Sequence, residues 1–157
     1  TANGGELKDF SNLFNYNVTD RPSDVSGFNF DIGNWDVSEV TNMEAIFHDA
    51  ASFNQDIGSW NVSNTKHMGG IFLNAEKFNQ DISIWNVSNA TRMDYMFSGA
   101  AVFNQDISGW NVSNVTHQFG FKKIVFFLIL KKIFNSNFCK ILKLSKGLFV
   151  KIIQIYG

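Results

Sequence analysis

At 157 residues, with 45% apolar side chains and 15% aromatic ones, the chain is long enough for one domain with a substantial core. A single Cys and a single Pro exclude a disulfide framework and a proline-rich linker. The formal charge of −1 averages two unlike parts: residues 1–117 hold all 14 acidic residues and five of the 13 basic ones, about −9, whereas residues 118–157 hold eight Lys and no acid. So acidic a segment repels phosphate backbones, which excludes nucleic acid as a partner of residues 1–117.

The chain opens Thr1-Ala2-Asn3, with neither an initiator Met nor a basic and apolar leader, and we expect a fragment or processed product whose targeting segment is missing. Phe10, Leu13 and Phe14 fall in register with Met43, Ile46 and Phe47, so residues 1–27 read as a partial repeat. The step from Phe14 to Phe28 exceeds that from Phe47 to Phe53 by eight residues, an insertion that carries Asp20-Arg21-Pro22-Ser23. From residue 28 a sentence recurs four times, with Trp35, Trp60, Trp85 and Trp110 each 25 residues apart: FNFDIGNWDVSEV, FNQDIGSWNVSNT, FNQDISIWNVSNA, FNQDISGWNVSNV. A fixed period of this length marks one supersecondary unit stacked on copies of itself, here over residues 28–117.

Within one copy, Ile57, Trp60 and Val62 predict a short strand, Trp60 and Val62 sharing a face. Met68, Ile71, Phe72 and Ala75 follow at helical spacing and predict about two helical turns. Thr41-Asn42-Met43-Glu44 reads as a capping box, Thr91-Arg92-Met93-Asp94 as a weaker one. Gly69-Gly70 predicts the least regular helix, and Asn74 and Gly99 are candidates to close helices in the left-handed conformation. Burying one such side chain contributes roughly 1.5–3 kcal/mol and ordering a residue costs roughly 1–2, so a lone copy is unstable and must stack. Stacking in register predicts ladders of Trp and of Phe, with successive strands paired in parallel.

The text FNQDISGWNVSNVT, with Met-x-x-Met-Phe-x-x-Ala from Met93 to Ala100, resembles the 25-residue repeat of mycoplasma surface lipoproteins, a relative of the BspA-like leucine-rich repeat. The resemblance covers residues 28–117 densely and reaches back loosely to Leu7. It implies an α/β repeat, a leucine-rich-repeat-like solenoid of about four turns with one short strand and one short helix in each. It also implies a secreted or surface-anchored location and adhesion to or recognition of other macromolecules, and it does not imply any catalytic residue. Gln118 and Lys122 stand where the family has Met and Phe, so the pattern is expected to stop there.

Asp31, Asp56, Asp81 and Asp106 form a column that could hold Ca²⁺, but each directly precedes a buried Ile, and a structural or solvated role is the better reading. Asn54, Asn79 and Asn104, with Gln55, Gln80 and Gln105 beside them, read as turn-stabilising amide ladders. His67 and His117 recur two copies apart, about 10 Å by strand spacing, too far to share a metal, and His48 lies on another face. No nucleophile elbow or phosphate loop occurs, and near-identical copies offer no asymmetric constellation, so we expect no enzyme, metal or cofactor. Asn17, Asn61, Asn86, Asn89, Asn111 and Asn114 head N-x-S/T sequons, which the repeat consensus alone explains for the last five.

Of the 40 residues from 118 to 157, 27 are Lys, Ile, Phe or Leu, and the period vanishes. Ile124 to Leu130 is too short to cross a bilayer. Ile141, Leu142, Leu148, Phe149, Ile152 and Ile153 oppose Lys140, Lys143 and Lys151 in a cationic amphipathic pattern, and Cys139 is an incidental thiol. Three readings stand open: an AT-rich coding sequence translated out of frame, a cap over the last copy, or a membrane-surface helix, the one route to membrane contact. The expected function is a non-enzymatic binding or adhesion module with a protein or glycan partner on another cell or matrix. Its contact face is the outward side of the strands: Asn34, Asp36, Ser59, Asn61, Ile84, Asn86, Gly109 and Asn111. The alternative is a structural spacer that carries a functional region outside this chain.

Overall fold

A computed structural model describes residues 8–13 and 25–121. The insertion at Asp20 to Ser23, the sequon at Asn17, and the tail beyond Phe121 with Lys122 and Cys139 lie outside the described residues. Among those described, the one helical element with both ends included is a 3₁₀ turn, Val25–Gly27. Extended pairing is confined to isolated parallel bridges that link Asp9 to Asn42, Asn42 to His67, His67 to Arg92 and Arg92 to His117. This corrects the expected α/β repeat: the described residues do not build a leucine-rich-repeat-like solenoid with a strand and a helix in each copy.

The backbone hydrogen bonds give the reason. Over residues 43–50, the N–H groups of Met43, Ala45, Phe47 and Asp49 donate to the carbonyls of His67, Gly69, Ile71 and Leu73 in the following copy, at 2.8–3.0 Å. Between them, Ile46, His48 and Ala50 donate to carbonyls three residues back, at 3.1–3.3 Å. These N–H groups are therefore committed to the next copy or to tight turns, and none is left for the i→i−4 bonds of an α-helix. The following copy repeats the scheme, with Met68, Gly70, Phe72 and Asn74 donating to Arg92, Asp94, Met96 and Ser98 at 2.7–2.9 Å. An isolated eight-residue helix is marginal in water, whereas a neighbouring copy supplies acceptors at every second residue.

Left-handed residues recur in the same slots. Ala45, Gly70, Tyr95 and Gly120 have φ of 57°, 59°, 54° and 74°, and Asp49, Asn74 and Gly99 have 61°, 57° and 75°. Two such residues in each copy interrupt any right-handed helix. They also overturn the expectation that Gly69-Gly70 is the least regular segment, because Gly70 follows the path of Ala45 and Tyr95. Asn74 and Gly99 are left-handed as their residue types suggest, but they close no helix.

The expected capping boxes and strands are corrected in the same way. Thr41 Oγ1 donates to the carbonyl of Lys8 at 3.2 Å and Thr91 Oγ1 to that of Lys66 at 3.2 Å, so these hydroxyls join copies. Glu44 N–H is taken by Asn42 Oδ1 at 3.0 Å. The predicted strand around Trp60 is two successive turns, Trp60 N–H on the Ile57 carbonyl (3.1 Å) and Thr65 N–H on the Val62 carbonyl (2.9 Å).

The residues read as inward are buried on this different backbone. Ile57, Trp60, Val62, Met68, Phe72 and Phe78 are buried, as are Ile82, Trp85, Val87, Met93, Phe97 and Phe103. Consecutive three-residue turns bring residues three and four apart to one side, which imitates a helical stripe. Phenylalanines form two adjoining columns: Phe47 lies 5.8 Å from Phe72 and 3.9 Å from Phe53, Phe72 lies 3.8 Å from Phe78, and Phe97 4.1 Å from Phe103. Each tryptophan packs on a phenylalanine of the preceding copy, Trp60 on Phe47, Trp85 on Phe72 and Trp110 on Phe97, at 6.1–6.2 Å. Trp35 departs from the ladder, with 39% of its surface exposed and the Phe10 ring edge-on at 6.2 Å.

The register also outlasts Gln118, where it was expected to stop. Tyr95 N–H donates to the Phe119 carbonyl at 2.8 Å, and Phe121, in the slot of Met96, is buried 6.4 Å from Phe97 and 6.5 Å from Trp110. Gln118 is only partly buried, so its amide is tolerated where Met43, Met68 and Met93 are fully enclosed.

Candidate interaction face

The face around the tryptophans is shaped by paired side-chain turns. Asp31, Asp56, Asp81 and Asp106 each accept, through Oδ1, the backbone N–H two residues on, at 2.9–3.2 Å. Five residues further along the same bond recurs: Asp36 accepts from Ser38 at 3.0 Å, and Asn61, Asn86 and Asn111 accept from Ser63, Ser88 and Ser113 at 3.2 Å. Asx side chains that mimic a backbone turn in this way fold each copy around its Ile, Trp and Val.

All eight residues expected on this face are exposed: Asn34, Asp36, Ser59, Asn61, Ile84, Asn86, Gly109 and Asn111. They form two columns, Asn34-Ser59-Ile84-Gly109 and Asp36-Asn61-Asn86-Asn111. Ile84 is 78% exposed in the middle of the first, an apolar side chain that no packing demand explains. Ser59 Oγ leans back to the Gly33 carbonyl at 3.4 Å. The Oδ1 atoms of Asn61, Asn86 and Asn111 each accept one backbone N–H and keep a second lone pair, so these exposed amides have both donor and acceptor capacity.

Beneath this face the copies are tied in register. Trp60, Trp85 and Trp110 donate Nε1–H to the carbonyls of Ile32, Ile57 and Ile82 at 3.1–3.2 Å, which satisfies each buried indole. Asn64, Asn89 and Asn114 donate Nδ2–H to the carbonyls of Ser38, Ser63 and Ser88 at 2.7–2.8 Å. The sequence reading missed these last three, although their constant place three residues after Asn61, Asn86 and Asn111 was a visible signal. The Asn54, Asn79 and Asn104 column forms an amide ladder, each Oδ1 or backbone oxygen serving the next copy: Asn79 N–H donates to Asn54 Oδ1 and Asn104 N–H to Asn79 Oδ1, both at 2.9 Å. Gln80 and Gln105 add Nε2–H bonds of 2.8 Å to the carbonyls of Asn54 and Asn79.

Charge is distributed by the same turns. The Ser38 hydroxyl and N–H lower the pKa of Asp36, the Ser83 N–H and hydroxyl lower that of Asp81, and the Ser11 hydroxyl and N–H lower that of Asp9. His67 and His117 lie in the bridge row on either side of Arg92, and Arg92 Nε stands 3.6 Å from Asp94 Oδ2. Among the described residues no three His, Cys, Asp or Glu side chains converge as a metal would require, and no helix is long and apolar enough to cross a membrane. A second exposed apolar feature, missed in the sequence, is the pair Tyr95 and Phe119, ring centroids 5.2 Å apart.

The chain matches no curated protein and no solved structure. Residues 8–125 match the family described as "Mycoplasma protein of unknown function, DUF285", and with that match over three quarters of its length the chain belongs to this family.

Proposed function

We propose that the chain is a non-enzymatic, surface-exposed binding or adhesion module whose contact face is the double column Asn34-Ser59-Ile84-Gly109 and Asp36-Asn61-Asn86-Asn111. The observation that supports this reading is an exposed isoleucine amid exposed amides, on a backbone tied together by hydrogen bonds between copies. A preorganised face loses little entropy on binding, and an unburied apolar side chain gains from being covered. Membership of a mycoplasma family and the likeness to BspA-like surface repeats support a place on the cell surface with a protein or glycan partner.

The test is binding of the fluorescently labelled protein to cultured epithelial cells and to immobilised extracellular matrix. Changing Asn61, Ile84 and Asn86 together to Ala should abolish binding and leave circular dichroism and chemical unfolding unaltered. If wild-type and variant behave alike, or neither binds, the face is no contact surface, and the rival reading of a spacer that sets length takes its place.

A further inference from the structure

Independently of the outward face, we infer that the chain associates end to end with a second copy of itself, residues 116–121 of one chain stacking on residues 8–13 of the next. The two rows are the two halves of the interface that joins neighbouring copies inside the chain. At each internal joint the N–H groups of one row donate to carbonyls of the following row, as Met93 does to His117 and Tyr95 to Phe119, both at 2.8 Å. In the last described row these donor slots belong to Gln118 and Gly120, and among the described residues nothing accepts from their N–H groups. In the first described row, Phe10 and Asn12 donate to Asn42 and Glu44 at 2.8 Å, which places Asp9 and Ser11 in the acceptor slots. Among the described residues nothing donates to the Asp9 and Ser11 carbonyls. The return bond matches too: His117 N–H donates to the Thr91 carbonyl at 3.1 Å, and the equivalent bond from Asp9 N–H to the Thr116 carbonyl of another chain is open. Unpaired backbone groups in one row are a template for the row that complements them.

The side chains of both rows are open in the same sense. Thr116 and His117 are exposed where Thr91 and His67 are partly buried, and Gln118 is partly buried where Met93 is enclosed. At the other end Phe10 and Leu13 are only partly buried, where Met43 and Ile46 are enclosed. Stacking in the internal register sets Phe10 over Gln118 and Leu13 over Phe121. It also continues the bridge row Asp9, Asn42, His67, Arg92, His117, so that His117 meets Asp9 of the next chain. Neighbours in that row touch through their side chains, since Asn42 Nδ2 donates to Asp9 Oδ2 at 3.3 Å. An imidazole beside a carboxylate is a complementary pair. The joint uses this half of each copy alone. In the tryptophan half one row is missing between residues 103–115 and residues 28–40 of the next chain, which leaves a space for the chain to run on past Phe121. Val112, at its edge, is 36% exposed against 1–2% for Val37, Val62 and Val87. Because the donor row and the acceptor row are different surfaces, each joined chain still presents one of each, and the assembly does not close.

The experiment follows the mean mass of the full chain by sedimentation equilibrium, with amide exchange of Gln118 and Gly120 by nuclear magnetic resonance. From about 10 µM to about 1 mM the mean mass should rise about twofold or more with no plateau at the dimer, as a weak joint of small area that does not close requires. His117→Asp sets two carboxylates face to face and should raise the concentration needed about tenfold, and adding Asp9→Lys to the same chain should bring it back. Both positions are exposed, so circular dichroism should stay unchanged. A monomer throughout, a dimer that grows no further, or a double variant no better than His117→Asp alone would overturn the inference. So would a mass indifferent to His117→Asp, which would assign association to the apolar residues beyond Phe121. Gln118 and Gly120 amides already protected in the dilute monomer would overturn it as well, because the chain's own residues would then occupy the donor row.

Discussion

The indole Nε1–H of Trp85 donates to the carbonyl of Ile57, 3.1 Å away and 28 residues earlier, and that carbonyl also receives the backbone N–H of Trp60. One oxygen thus closes a turn in its own copy and pins the next copy onto it. The tryptophan therefore supplies buried area and register together. Trp85→Ala should destabilise the chain by about 3–5 kcal/mol, whereas Trp85→Phe keeps most of the ring and loses the bond, about 1 kcal/mol. Urea denaturation of both variants tests this: equal losses would show that the ring kept by Phe contributes nothing, and a Trp85→Phe variant as stable as the parent would show that the Nε1 bond contributes nothing.

Two glycines in left-handed slots should respond unequally to alanine. At Gly70 a Cβ would meet only the Leu73 side chain at 3.7–3.8 Å, and Ala45 already occupies the equivalent slot at φ 57°, so the cost is the left-handed backbone term alone, about 1–2 kcal/mol. At Gly99 a Cβ would run into the Asn74 amide and stand 3.1 Å from the Asn74 Cα, so Gly99→Ala should cost about 2–3 kcal/mol or more. Thermal unfolding of the pair decides it; a Gly70→Ala variant as unstable as Gly99→Ala would contradict the steric distinction.

The Asn79 amide is a test of whether the polar ladder stabilises. Asn79 Oδ1 accepts from Asn104 N–H at 2.9 Å and from Gln105 Nε2–H at 3.0 Å. Asn79→Ala should cost about 1 kcal/mol, and Asn79→Asp, which keeps the acceptor, should recover most of it. An Asp variant no better than Ala, measured by chemical denaturation, would mean that the bond is incidental.

Acid should weaken the fold through its turn carboxylates. Asp9, Asp36 and Asp81 have folded pKa values below the reference of 3.8, held there by serine hydroxyl and N–H groups. Depressed carboxylates stabilise the folded chain fully above their unfolded pKa and lose that contribution as pH falls through the folded pKa. The melting temperature should therefore be level in this respect above about pH 5 and decline below about pH 4. Asp81→Asn, which reproduces the bond Asn86 makes to Ser88, should make that decline shallower. An unchanged acid limb would assign the decline to other groups.

Much of the outward face was legible because burial in a stacked array follows a simple rule: a 25-residue column that is apolar in every copy turns inward. Ile57, Trp60 and Val62 had to be covered, which leaves Ser59 and Asn61 to solvent whatever the backbone does between them. The acceptor role of Asn61 Oδ1 was less legible, since an exposed strand and an Asx turn place the same residue types outside. Trp35 was misjudged because its repeat text is nearly that of Trp60, while its environment is not: the copy that precedes it is the interrupted one.

Sequence by itself determined the period, the inward residues and the amide columns, since these depend on which side chains shun water and on their spacing. Only the tertiary structure decided the backbone path. Met68, Ile71, Phe72 and Ala75 carry the burial pattern of a helix, and a pattern of burial does not say where the N–H groups find acceptors. In this chain every second N–H of the segment reaches the next copy, an option that exists only once copies are stacked. The left-handed residues at Ala45, Gly70 and Tyr95 complete that arrangement, and for Ala45 and Tyr95 no local preference would have foretold them.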